Sequence, residues 1–207
     1  MTRPPGPPDE HAHDDHERAG SLRDLAADVH IDRTVALVGM MGAGKTSIGK
    51  RLAGVLGVEF RDADAEIEKA AGCTVAQIFA EHGEPEFRRG ERKVIERLIT
   101  CEPPHILATG GGAFMDPETR ALLKERATTI WLRAELDVLL RRVERRDNRP
   151  LLRGGDARGT LARLIEERYP TYAEAELVID SNSGPHAAAV EAVLRALRER
   201  HATRRAP

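Results

Sequence analysis

The sequence predicts an α/β domain built on a five-stranded parallel sheet. Two observations carry that expectation. Five short apolar runs rich in Val, Ile and Thr recur along the chain, each of a length suited to one buried strand. Between them lie segments whose apolar residues fall three and four positions apart, the period of an amphipathic helix. Strands that alternate with helices in this way form βαβ units.

TVALVG (34–39) is the first strand, and GKTSIGKRLAGVLG (44–57) the helix after it. In that helix Ile48, Leu52, Val55 and Leu56 share one face, and Gly57 ends it. VEFRDAD (58–64) is a second strand running into two acids. Short helices follow at 64–72 and 75–82, and a longer one at 85–101. HILATG (105–110) is the third strand. DPETRALLKER (116–126) opens with Asp as N-cap and Pro at the first helical position. TTIWLR (128–133) is the fourth strand. AELDVLLRRVERR (134–146) carries Leu136, Leu139, Leu140 and Val143 on one side. Residues 147–158 read as a loop, and 160–175 as a helix interrupted near Pro170. LVIDS (177–181) is the fifth strand, and 186–201 a closing helix. No internal repeat is present.

The domain expected from this pattern covers 33–201, with a disordered tail at 1–32 and a short C-terminal tail at 202–207. The first twenty residues are dominated by Pro, Gly, His and acids, with no apolar side chain larger than Ala or Pro after Met1. Such a segment cannot bury enough surface to offset its ordering entropy. His11, His13 and His16 could hold a transition metal weakly, but a solvated tail is the simpler reading.

Composition excludes several classes. Charged residues make up 32% of the 207, yet the formal net charge is −2, which fits neither a generally basic nucleic-acid binder nor a polyacidic solvating protein. Aromatics are 3%, too few for a base-stacking platform. Cys73 and Cys101 form no metal pattern and read as reduced thiols. No run of 18 apolar residues occurs, and no basic region precedes an apolar stretch at the N-terminus. A cytoplasmic protein without membrane attachment is expected.

Gly39-Met40-Met41-Gly42-Ala43-Gly44-Lys45-Thr46 fits the pattern GxxxxGK[ST], after a predicted strand and at the start of a predicted helix. Its glycines let successive backbone N–H groups face a phosphate, and the helix N-terminus adds positive potential. Lys45 can reach β- and γ-phosphates, and the Thr46 hydroxyl can ligate Mg²⁺. The motif says nucleoside triphosphate without saying which reaction. A switch GTPase would need an NKxD sequence, and neither Asn148 nor Asn182 lies in one.

Asp62 and Asp64 sit two apart at the end of strand two, so both face one side while the strand persists. A carboxylate beyond the carboxyl end of a parallel strand can hold Mg²⁺ through water or accept a proton from a hydroxyl. Either could instead cap the helix that follows. Arg88 lies in Glu86-Phe87-Arg88-Arg89-Gly90-Glu91, where an Arg three before a Glu is commonly a surface pair. Gly110-Gly111-Gly112 allows close backbone approach to a ligand, or simply a tight turn. Arg149 and Arg168 are of the residue type suited to two-pronged recognition of carboxylate or phosphate, although taken singly each reads as surface charge.

In order and spacing, the P-loop at 39–46, Asp62-x-Asp64, Phe87-Arg88-x-x-Glu91, Gly110–Gly112, and Arg149-Pro-Leu-Leu followed by Arg168-x-Pro-x-Tyr172 resemble the shikimate kinases, small P-loop enzymes of the aromatic amino-acid pathway. The resemblance spans about 34–181. It implies a P-loop NTPase-type three-layer sandwich of the nucleoside-monophosphate-kinase kind, with a mobile lid at about 147–158. It implies phosphorylation of the 3-hydroxyl of shikimate by ATP with Mg²⁺. By motif match, Gly42, Ala43, Gly44, Lys45, Thr46 and Ser47 hold the nucleotide phosphates. Thr46 and, through water, Asp62 hold the metal. Asp64 is the candidate base, Arg88 and Arg168 clamp the substrate carboxylate, and the backbone of Gly111 and Gly112 contacts substrate. Arg149 swings in with the lid onto the transferring phosphate. ATP and shikimate are the expected partners of a monomer.

Two departures stand beside the resemblance. The first thirty or so residues lie outside the family core. The turn Ser181–His186 lacks an Asn-Pro pair, so no adenine contact is assigned, and Arg145 and Arg146 sit in a run where surface charge is the default. A P-loop kinase acting on gluconate would keep the P-loop and lid without needing Asp64, Arg88 and Arg168 together. A nucleotide-binding regulator without turnover would lose Lys45, Asp64 or the lid Arg, and all three are present.

Overall fold

The computed structural model describes residues 20–144, 156–182 and 186–205. Five strands run parallel in the order β2-β3-β1-β4-β5. They are β1 (Val35–Val38), β2 (Phe60–Asp62), β3 (Ile106–Ala108), β4 (Thr128–Arg133) and β5 (Leu177–Asp180). β1 is buried along its whole length, and Val35 pairs with Ile106 on one side and Thr128 on the other. A strand covered on both faces must be apolar at every position, which is why 35–38 reads as a continuous run without alternation.

The strand order sets the layers. The chain moves one way across the sheet from β1 to β2, and the opposite way from β2 to β3 and from β3 to β4. Right-handed crossovers therefore put helix α2 (Lys45–Leu56) on one face and helices α4 (Val75–Cys101) and α5 (Pro117–Arg126) on the other. The contacts agree: α2 packs with α8 (His186–Arg205), while α4, α5 and α7 (Ala157–Tyr172) converge on a 3₁₀ turn at Ala113–Met115. Leu37, Ile48, Leu52, Ile95, Ile106 and Ile130 lie at the centre of the core with no exposed surface. Chain reversal between β1 and β3 opens a crevice at their carboxyl ends, the usual ligand site in such sheets.

Local chemistry fixes the helix starts. Thr74 and Gln77 form a reciprocal capping box at α4, and Asp116 accepts from the Thr119 N–H at 2.8 Å. α4 is broken at Gly83, whose φ is 77°, so the two helices expected at 75–82 and 85–101 are limbs of one bent element.

Four boundaries differ from expectation. The tail does not extend to residue 32: residues 20–27 form helix α1, Ala26 is buried, and Leu22, Leu25, Val29 and Ile31 pack on the core. Those apolar residues recur at helical spacing, so they have a face to bury although the preceding segment has none. Residues 1–19 lie outside the described residues. Of the expected lid, 147–155 lies outside them too, and its last residues begin α7, where Asp156 accepts from the Gly159 N–H at 2.8 Å. Pro170 does not interrupt α7, because its fully buried neighbour Tyr172 anchors the last turn. α8 runs on to Arg205, so the segment after 201 begins as helix. Among the described residues, no helix is long and apolar enough to cross a membrane.

Candidate active site

The crevice has a phosphate side and an acceptor side. On the phosphate side, Gly44 caps α2 and Lys45 begins it. The Lys45 ammonium folds back over the loop, donating to the Gly39 carbonyl at 2.6 Å and the Met40 carbonyl at 3.0 Å. Lys45, Thr46 and Ser47 occupy the first turn of α2, where the helix N-terminus adds positive potential.

Thr46 Oγ1 donates to Asp62 Oδ2 at 3.0 Å, while Asp62 Oδ1 accepts from the Asp64 N–H at 3.2 Å. Asp62 is thus the N-cap of α3 (Ala63–Ala71) and the partner of Thr46 at once. Asp64, one of the two residues that could have been the cap, lies instead in the first turn. A hydroxyl beside a carboxylate is a hard oxygen donor set. It suits Mg²⁺, with water and phosphate oxygens completing an octahedron.

Two residues to which the motifs gave no role support this side. Arg142, on α6 (Leu136–Glu144), donates to the Gly42 carbonyl at 3.4 Å and to Ser181 Oγ at 3.2 Å. Ser181 Oγ in turn donates to the Ala43 carbonyl at 2.9 Å. Burial, and then the neighbouring Arg141, lower the Arg142 pKa. The signal for Arg142 was its helical face: Leu139 and Val143 pack against Gly42, and Arg142 lies beside them. Arg145, Arg146 and Arg149 lie outside the described residues.

On the acceptor side, Asp64 is exposed to the crevice, but its carboxyl is turned onto Gly110. A Cβ on Gly110 would stand 2.9 Å from Asp64 Oδ1 and 2.9 Å from Glu91 Oε1, so only glycine leaves room for both carboxyls. Crowding by protein atoms raises the Asp64 pKa, and Asp62 adds to it, while Lys45 and Arg88 oppose. Glu91 is 1% exposed, and burial likewise raises its pKa against the pull of Arg88.

Arg88 is held from two sides. Its Nη1 donates to Glu91 Oε2 at 2.5 Å, and its Nη2 and Nε to Glu84 Oε1 at 3.1 and 3.3 Å. Burial works against its charge, but Glu91 and Glu84 outweigh that and push its pKa up. The guanidinium lies directly on Gly112, where any Cβ would overlap Nη2. Arg168, on α7, donates from Nη1 to the Gly111 carbonyl at 3.2 Å, and the Tyr172 hydroxyl donates to the same oxygen. The structure therefore gathers Lys45, Thr46, Asp62, Asp64, Arg88, Gly111, Gly112 and Arg168 around one crevice. Glu91 and Tyr172 were quoted in the sequence motifs without roles, since only the fold shows what they touch.

The sequence model of the shikimate kinase family matches residues 41–198. The chain belongs to the shikimate kinase family. The shikimate kinase of Caulobacter vibrioides is 58% identical over 170 residues, covering 82% of this chain and 84% of that relative. The shikimate kinase of Rhodopseudomonas palustris is 55% identical over 168 residues, covering 81% and 82%. The solved shikimate kinase from Acinetobacter baumannii in complex with shikimate superposes with a TM-score of 0.75 at 35% identity, covering 88% of this chain and 99% of that one.

Proposed function

We propose that this shikimate kinase family member transfers the γ-phosphoryl group of ATP, with Mg²⁺, to the 3-hydroxyl of shikimate, giving shikimate 3-phosphate. The observation that carries this reading is the pairing of Arg88 and Arg168 about Gly110–Gly112, with Asp64 between them and the P-loop. Such a site can hold a small carboxylate in two-pronged fashion while presenting one of its hydroxyls to a carboxylate base.

In the reaction the substrate oxygen forms a bond to the γ-phosphorus as the bond to the β–γ bridging oxygen breaks, and ADP leaves. The hydroxyl proton passes to Asp64, whose raised pKa suits a group that must accept a proton and later release it. Lys45 and the first turn of α2 stabilise charge on the phosphates, and Arg142 sits where the nucleotide would pass the P-loop. Thr46 and Asp62 would hold the metal, which supplies charge neutralisation on the transferring phosphates. Arg149, by motif match, joins the transferring phosphate when the lid closes and excludes water.

The deciding experiment is a coupled ADP-release assay with ATP-Mg²⁺ and a panel of acceptors. Shikimate should support turnover, while gluconate and neutral polyols should not. Turnover with gluconate in place of shikimate would overturn the assignment.

A further inference from the structure

The Gly111 carbonyl receives two donors from one helix, the Arg168 guanidinium and the Tyr172 hydroxyl, four residues apart on α7. Tyr172 is the largest fully buried side chain among the described residues. Its ring stacks near Phe114 of the 3₁₀ turn at 6.5 Å and 21°, and lies 6.0 Å from the Trp131 ring. The Tyr169 ring lies 6.4 Å away as well, and a phenol so enclosed has few positions open to its hydroxyl, so packing imposes its choice of the Gly111 oxygen.

In a planar trans peptide, the carbonyl and the following N–H point in opposite directions. Tying the Gly111 oxygen to α7 therefore turns the Gly112 N–H away from α7 and keeps an acceptor oxygen from facing an anionic ligand. The same oxygen engages one of the five N–H donors of Arg168, which orients the rest of its fork. We propose that Tyr172 is a positioning residue for the acceptor carboxylate: its hydroxyl sets the Gly111–Gly112 peptide and, through the shared carbonyl, the Arg168 guanidinium. The inference rests on the reading of Arg168 and Gly111–Gly112 as the acceptor site. Burial lifts the Tyr172 pKa to about 12, with Arg168 opposing, so the hydroxyl remains a donor across the working range of the enzyme.

Tyr172→Phe in the full chain keeps the ring and removes only the donor. A typical single hydrogen bond corresponds to roughly a five- to tenfold change in an equilibrium. The shikimate KM should rise by about that factor, with kcat, the ATP KM and the melting temperature little changed. Phe114→Leu loosens the same packing but keeps the hydroxyl. It should lower the melting temperature and raise the shikimate KM less than Tyr172→Phe does. Equal increases in shikimate KM for the two variants, or parallel losses in the ATP and shikimate KM of Tyr172→Phe, would assign the residue to packing alone and overturn the proposal. Arg168→Ala separates the two levels. If it raises the shikimate KM and Tyr172→Phe does not, the positioning role fails. If neither raises it, the acceptor-site reading fails with it.

Discussion

The phosphate side of the crevice is built on one stretch of chain, Gly39 to Ser47, folded by bonds within itself such as those from Lys45 to Gly39 and Met40, and Asp62, Arg142 and Ser181 bond to that stretch from outside it. The acceptor side draws Asp64 from α3, Arg88 and Glu91 from α4, Gly110–Gly112 from the end of β3, and Arg168 and Tyr172 from α7. Charge concentrates where the two sides meet: three carboxyls, Asp62, Asp64 and Glu91, lie among the cations Lys45, Arg88 and Arg168. A local loop can bind any nucleoside triphosphate, whereas recognition of one small anion takes several elements held by tertiary packing. Damage to the first should appear mainly in catalysis, and damage to the second mainly in the acceptor KM.

The largest effect should come from Lys45→Ala, with kcat/KM reduced on the order of 10³-fold, because a preorganised positive charge on the transferring phosphate is lost. Asp62→Asn should also cripple turnover but recover part of its rate at high Mg²⁺, while Lys45→Ala should not. If titrating Mg²⁺ leaves Asp62→Asn as impaired as before, the metal role of the Thr46–Asp62 pair is wrong. Arg149→Ala should lower kcat by roughly 10²-fold and move the shikimate KM less than Arg88→Ala does, the mark of a contact made in the transition state.

Arg88→Ala should raise the shikimate KM by one to two decades and leave the ATP KM nearly unchanged, since a charge-assisted hydrogen bond is worth about 1.5–3 kcal/mol. Arg88→Lys should rescue only part, because the fork is lost. Similar changes in both KM values would erase the distinction between the two sides.

Asp64 tests the desolvation that raises its pKa, to which the nearby Asp62 charge adds. Its folded pKa is raised above the ordinary 3.8. Between the two values the folded state keeps a proton that the unfolded chain has released, so this group's contribution falls as pH rises through that window. Above the window the cost of ionised Asp64 is carried in full. Asp64→Asn should be inactive yet melt above wild type near neutral pH, with the gain shrinking as pH falls toward the ordinary carboxylate range. Scanning calorimetry across pH would show this, and identical melting curves at neutral pH would contradict it. The smallest effect belongs to the N-terminus. Deleting residues 2–19 should leave melting and kcat nearly unchanged, whereas deletion through 32 removes Leu22, Leu25, Ala26, Val29 and Ile31 from the core surface and should destabilise the protein.

The sequence by itself determined what depends on neighbours in the chain. The apolar runs mark all five strands, the Asp116-Pro117 start marks α5, and the spacing of Gly39 to Thr46 specifies a phosphate loop, because dihedral preference and hydrogen bonding act over a few residues. Tertiary structure decided the rest. It chose Asp62 over Asp64 as the cap, carried α7 through Pro170, and packed residues 20–32 where their unfavourable company suggested a tail. It placed Arg142 on the P-loop and turned Glu91, outwardly one more helical acid, into the buried partner of Arg88. Those outcomes rest on contacts between residues far apart in sequence, and burial and desolvation acquire their sign only when the chain has closed around them.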